Sequence, residues 1–97
     1  MANYVTLLQF TDQGIRAVKD SPKRAEAARA LGEKMGVKVA DIFWTLGAYD
    51  LVLVLEAANE EAVTAFTLSL GALGNVKTQT LRAFRADEFK AILGKMK

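Results

Sequence analysis

The sequence predicts an α+β domain, a four-stranded antiparallel sheet carrying two long helices on one face. Three observations lead there. Apolar periodicity alternates between two and 3.6 residues in the order strand, helix, strand, strand, helix, strand, with a short helix at the end. Helix starts and glycine stops separate these segments, with no linker, repeat or low-complexity stretch between them. At 97 residues and 52% apolar content, the chain forms one domain over residues 1–97.

Tyr4 to Phe10 reads as the first strand, with Tyr4, Thr6, Leu8 and Phe10 on one face and Val5, Leu7 and Gln9 on the other. Both faces are mostly apolar, which helices on one side alone do not explain. Thr11 to Asp20 is polar and long for a strand-to-helix connection, with room for a short helical turn. Ser21-Pro22 then starts a helix: the serine hydroxyl suits an orphan amide, and proline at the first position loses no needed donor. That helix is expected to reach Met35 and stop at Gly36, with Ala25, Ala28, Leu31 and Met35 as a core stripe and its alanines allowing close approach to the sheet.

Val37 to Leu46 is the second strand, bulged near Ala40-Asp41, and Tyr49 to Glu56 the third, joined by a hairpin turn at Gly47-Ala48-Tyr49-Asp50. In the third strand Tyr49, Leu51, Leu53 and Leu55 share one face, and Asp50, Val52, Val54 and Glu56 the other. An antiparallel strand with one wet face should alternate apolar and polar residues, and this one does not. Asn59 caps a second helix whose first turn holds Glu60 and Glu61, where the helix dipole favours carboxylates; Gly71 and Gly74 end it. Val76 to Phe84 is the fourth strand, and Ala86 to Met96 a short amphipathic helix with Phe89, Ile92, Leu93 and Met96 on its apolar side.

The order βαββαβ plus a terminal helix is that of the ferredoxin-like split βαβ fold, whose helices cover one sheet face and leave the other open. Apolar side chains on that second face predict a second copy over it, giving a dimeric α/β barrel. The competing expectation is that the C-terminal helix folds back over its own sheet.

Composition excludes several function classes. The net charge of +2 comes from 13 basic and 11 acidic residues, with Arg85, Lys90, Lys95 and Lys97 near the end, and this does not make the one-sided basic footprint of a nucleic-acid binder. Without cysteine or histidine the chain offers no disulfide, thiolate nucleophile, imidazole base or ordinary zinc or haem ligand set, so neither cofactor nor metal is expected. The run Leu51 to Leu55 is too short to cross a membrane and the N-terminus lacks a basic signal region, so the expectation is a soluble cytoplasmic protein.

Four motifs occur in order: Thr11-x-Gln13-Gly14; Lys19-Asp20-Ser21-Pro22 with Arg24; Gly47-x-Tyr49-Asp50-Leu51; and Gly74-Asn75-Val76 followed by Thr78-x-Thr80-Leu81-Arg82-Ala83-Phe84. On these the sequence resembles the GYD-domain proteins, small bacterial and archaeal proteins of uncharacterised function. The resemblance implies a ferredoxin-like, dimeric α/β-barrel fold and supplies no activity.

The same motifs gather Thr11, Lys19, Arg24, Tyr49, Asp50, Thr78 and Thr80 as candidate ligand-binding residues. In a split βαβ sheet the first and third strands are central antiparallel neighbours, which brings Thr11 toward Tyr49 and Asp50. Each has a structural reading as well: Gly47 as turn glycine, Tyr49 as a core aromatic, Asp50 paired with Lys19 or Arg24, and the threonines as cross-strand partners. Trp44, the only tryptophan, reads as core or interface. Three functions follow: a homo-oligomeric module binding a small polar or anionic ligand near the hairpin; a cofactor-independent enzyme with Asp50 as base and Tyr49 as proton donor; and a ligand-free assembly subunit.

Overall fold

The computed structural model describes residues 1–97. Its strands are β1 (Ala2–Phe10), β2 (Val37–Trp44), β3 (Leu51–Ala57) and β4 (Val76–Ala83). Its helices are α1 (Asp12–Arg16), α2 (Ser21–Lys34), α3 (Glu60–Ala72) and α4 (Ala86–Leu93), with a 3₁₀ turn at Val18–Asp20 between α1 and α2. The strands form one antiparallel sheet in the order β2-β3-β1-β4, so β1 and β3 are central neighbours as expected.

The register sorts the side chains into two faces. Leu8 lies opposite Leu51 and Tyr4 opposite Leu55, and these join Val37, Val39 and Leu53 in a core with Val63, Phe66 and Leu70 of α3. Phe66 and Leu55 are fully buried at its centre. The opposite face carries Val5 and Leu7 of β1 beside Val52 and Val54 of β3, all half-buried, with Phe43 of β2 55% and Leu81 of β4 45% exposed at its flanks. No helix covers it.

Local chemistry accounts for most element ends. Asn59 is the α3 N-cap, its side-chain oxygen accepting from the Ala62 amide at 3.0 Å. α3 runs through Gly71, which lies inside it rather than ending it. The bulge expected near Ala40-Asp41 is present: pairing jumps from Val39 to Asp41, and the Arg29 guanidinium donates to the Val39 carbonyl beside it. The long Thr11–Asp20 connection holds both a short helix and a 3₁₀ turn.

Two further expectations about local structure need correction. Ser21 is not the cap of α2; it is the first helical residue and is buried, and its hydroxyl accepts a hydrogen bond from the Trp44 indole at 2.9 Å. The serine is spent on a tertiary contact, and Asp20 at the N-cap makes no side-chain capping bond. The β2–β3 connection is not a tight turn at 47–50, because β2 ends at Trp44, β3 starts at Leu51, and Thr45 to Asp50 form a six-residue bend.

The terminal helix does not fold back over the sheet. Its N-terminus is held at the sheet end by Glu88, which accepts from Asn3 Nδ2 (3.2 Å) and from the Arg85 amide (3.0 Å) and pairs with Arg82 at 3.8 Å. The Arg82 guanidinium also lies over the rings of Phe84 (4.5 Å) and Tyr4 (5.4 Å). Beyond that anchor, Phe89, Ile92, Leu93 and Met96 are all exposed.

Candidate functional site

Asp50 is the hinge between the bend and the sheet. Its backbone N–H donates to the Leu8 carbonyl (2.8 Å), its carbonyl accepts from the Thr45 amide (2.8 Å), and its carboxylate Oδ2 accepts from the Phe10 amide (2.8 Å). The carboxylate thereby continues the β3–β1 ladder past the last backbone pair. It forms no ion pair with Lys19 or Arg24. We expect Asp50→Ala to cost about 1–2 kcal/mol by leaving a half-buried amide unmatched, and Asp50→Asn, which keeps an acceptor, to recover most of that in urea denaturation.

Tyr49 extends from the bend to β4, where its hydroxyl donates to Gln79 Oε1 at 2.9 Å. Gln79 lies opposite Leu7, on the uncovered face. Gln9, on the same face, donates to the Ala48 carbonyl at 2.9 Å, and the Thr45 hydroxyl donates to the Tyr49 carbonyl at 2.6 Å. The bend therefore arches over one end of the open face instead of extending beyond the sheet. Gly47 at φ 121° makes the reversal possible, in a region of backbone space that side chains disfavour.

Thr11 and Arg24 belong to a different assembly. The Thr11 amide donates to the Asn75 carbonyl (3.1 Å), and its hydroxyl donates to the Gly74 carbonyl (2.6 Å) while accepting from the Gly14 amide (3.1 Å). Gln13 Nε2 donates to the Leu73 carbonyl (3.1 Å) and to Asn75 Oδ1 (2.9 Å). Arg24 closes the clasp from α2, donating to the carbonyls of Gly14 (3.1 Å) and Ala17 (3.0 Å). Two motifs far apart in sequence, Thr11-x-Gln13-Gly14 and Gly74-Asn75, thus meet as one structural lock at the end of β1.

Thr78 and Thr80 lie on the helix-facing side of β4, opposite Leu8 and Thr6, and Thr80 shares a 2.9 Å hydroxyl contact with the buried Thr6. Lys19 stands exposed on the 3₁₀ turn. The structure brings Thr11 close to Asp50 through Phe10, as strand order implies, and separates Tyr49 from the two threonines by the sheet itself. Asp50 and Tyr49 share no hydrogen bond, and each is engaged by a partner that shapes the bend.

Two concavities lie nearby. An open polar dent of about 380 Å³ borders Thr11, Gln13, Gly74 and Lys77. A more enclosed apolar cavity of about 350 Å³ opens on the helix side, between α2, α3 and the sheet. Sequence reasoning missed it because the α2 alanines read as close approach. That holds toward the end of α2, where a Cβ on Gly32 would come within 2.6 Å of the Val37 carbonyl oxygen, whereas Ala25, Ala27 and Ala28 line the cavity.

Tyr4, on the core side of β1, is a further polar group with no obvious sequence signal. Its hydroxyl is buried with no protein partner, and that burial pushes it above the ordinary phenol range; the Glu60 carboxylate adds in the same direction and Arg82 opposes it.

Comparison with known proteins agrees with this architecture. The chain is 36% identical over 94 residues to a Thermus thermophilus protein described as a glutamine synthetase and cystathionine beta-lyase binding protein, covering 96% of this chain and 99% of that one. It is also similar to the crystal structure of TTHA0845 from Thermus thermophilus, with a TM-score of 0.54 and 25% identity, over 89% of this chain and 96% of that one. Residues 4–93 match the GYD domain, and the chain belongs to that family.

Proposed function

We propose that this protein is a non-catalytic, homo-oligomeric protein-binding module: a ferredoxin-like protomer that pairs through its open sheet face as a dimeric α/β barrel and presents α4 to a client enzyme. The observation that carries this reading is the uncovered apolar surface. Val5, Leu7, Val52 and Val54 form a continuous strip flanked by Phe43 and Leu81, and an apolar face of this kind on a small protein marks a docking site. The exposed side of α4 adds a second apolar surface, tethered to the body at its N-terminus. The binding role in the name of the Thermus relative supports a protein client, and the two enzymes in that name are the first candidates.

A small polar or anionic ligand at the Gly47–Asp50 hairpin, or a catalytic role for Asp50 and Tyr49, has weaker support, since both side chains are engaged in hydrogen bonds that hold the bend. The client reading is tested by biolayer interferometry against glutamine synthetase and cystathionine beta-lyase from the protein's own organism. We expect saturable binding to one of them, weakened about a thousandfold by Phe89→Ala with Ile92→Ala, at roughly 2 kcal/mol for each central anchor. Because both side chains are exposed, the melting temperature should barely change. Binding unaffected by the double substitution would remove α4 from the interface, and no binding to either enzyme would remove them as clients.

A further inference from the structure

We infer that the cavity between α2, α3 and the sheet is a binding site for a small amphiphile with an apolar tail and a single carboxylate, distinct from the protein-docking surfaces. Its floor is Leu8, Leu51 and Leu53, and Ala28 and Leu70 form facing walls. At about 350 Å³ it lies at the lower end of the roughly 300–1,000 Å³ range of ligand sites, which suits a medium-length chain or a single ring.

The polar groups of the lining define the head. Arg24 is its only charged side chain, and no carboxylate pairs with it. Two of its N–H groups hold the Gly14 and Ala17 carbonyls, which fixes the guanidinium in place and leaves further donors free. Ser21 already accepts from the Trp44 indole, so its hydroxyl has a proton left to give. Asn75 accepts from Gln13 at its Oδ1, which leaves its amide N–H₂ as the unused end. The three polar side chains lining an otherwise apolar space therefore all have donor capacity to spare, beside one uncompensated positive charge. Such a set complements a carboxylate and disfavours an amine or ammonium head.

The site is also held open. The Ser21–Trp44 bond ties the start of α2 to the end of β2, and Arg24 ties its first turn to the clasp, so the helix cannot settle onto the sheet over its small alanines. Trp44 consequently reports on the site through Ser21.

The probe is decanoate, below its micellar concentration, followed by Trp44 fluorescence and calorimetry on the full chain, with decanol and decyltrimethylammonium as comparisons. We expect saturable decanoate binding, at least tenfold weaker binding of decanol, and none of the cation. Ala28→Leu, which places its added carbons in the cavity, should weaken decanoate at least tenfold with the melting temperature unchanged or raised. Absence of saturable decanoate binding, equal binding of the ammonium amphiphile, or an Ala28→Leu variant that binds decanoate as the parent does would each overturn the assignment. An Ala28→Leu protein that fails to fold would do so as well, because it would show the position to be packed.

Discussion

Gly14→Ala is expected to destabilise the protein by about 3 kcal/mol, the upper part of the range for forcing extra carbon into a packed site. For a domain of this size that is a fall in melting temperature of roughly 12–24 °C, at about 4–8 °C per kcal/mol. A Cβ at Gly14 would sit 2.0 Å from the Asn75 carbonyl oxygen and 2.9 Å from its carbonyl carbon, backbone atoms with no flexible end to move aside. Relief would have to come from separating α1 from the start of β4. That would break the Thr11 and Gln13 bonds to Leu73, Gly74 and Asn75 together. Gly71→Ala is the matched control: it lies inside α3 with nothing within 4 Å of the added carbon, and should stabilise by up to about 1 kcal/mol through helix propensity. Thermal unfolding of the pair measures the clasp directly, and a Gly14→Ala cost below about 1 kcal/mol would show that the clasp is loose.

The second large effect concerns assembly. Val54→Lys places an ammonium at the middle of the open face, on a central strand, between Val5 of β1 and Asp41 of β2. In a monomer the lysine stem lies along the sheet while its head reaches water, so folding should be nearly unaffected. In a face-to-face pair each ammonium is carried into an apolar interface with only the neighbouring Asp41 carboxylate to offset it. The penalty is several kcal/mol, so the dissociation constant should rise at least about a thousandfold. Sedimentation velocity over a concentration series checks this. Unchanged association would move the self-contact away from the sheet.

Much of the architecture was legible because the signals were local. Asn59 caps its own helix, the bulge follows the pattern break at Ala40-Asp41, and strand order alone brings the end of β1 to Asp50. The misreadings came where distant partners outcompete neighbours. Ser21 looks like a cap until Trp44, 23 residues away, takes its hydroxyl. The hairpin looks like a tight turn until Gln9 and Gln79 pull Ala48 and Tyr49 across the sheet.

The candidate site was legible as a set of motifs and not as a location. Thr11, Gln13, Gly14 and Gly74-Asn75 occur together because the Thr11 hydroxyl and Gln13 amide bond the Leu73–Asn75 turn and Gly14 packs against its backbone, which explains the motifs without any ligand. The Gly-Ala-Tyr-Asp stretch likewise holds its own bend over one end of the open face. The cavity leaves no periodic trace, since alanine lines a void and a packed contact equally well; the apolar stripe of α4 is legible, but not that it stays free, because an amphipathic helix looks the same whether its partner is its own chain or another.

Everything proposed about the open face depends on its being covered in solution. Light scattering coupled to size exclusion, on the unmodified protein at micromolar concentration, decides this: the expected mass is twice 10.5 kDa or a higher multiple. A homogeneous species of 10.5 kDa with Val5, Leu7, Val52 and Val54 open to water would contradict it.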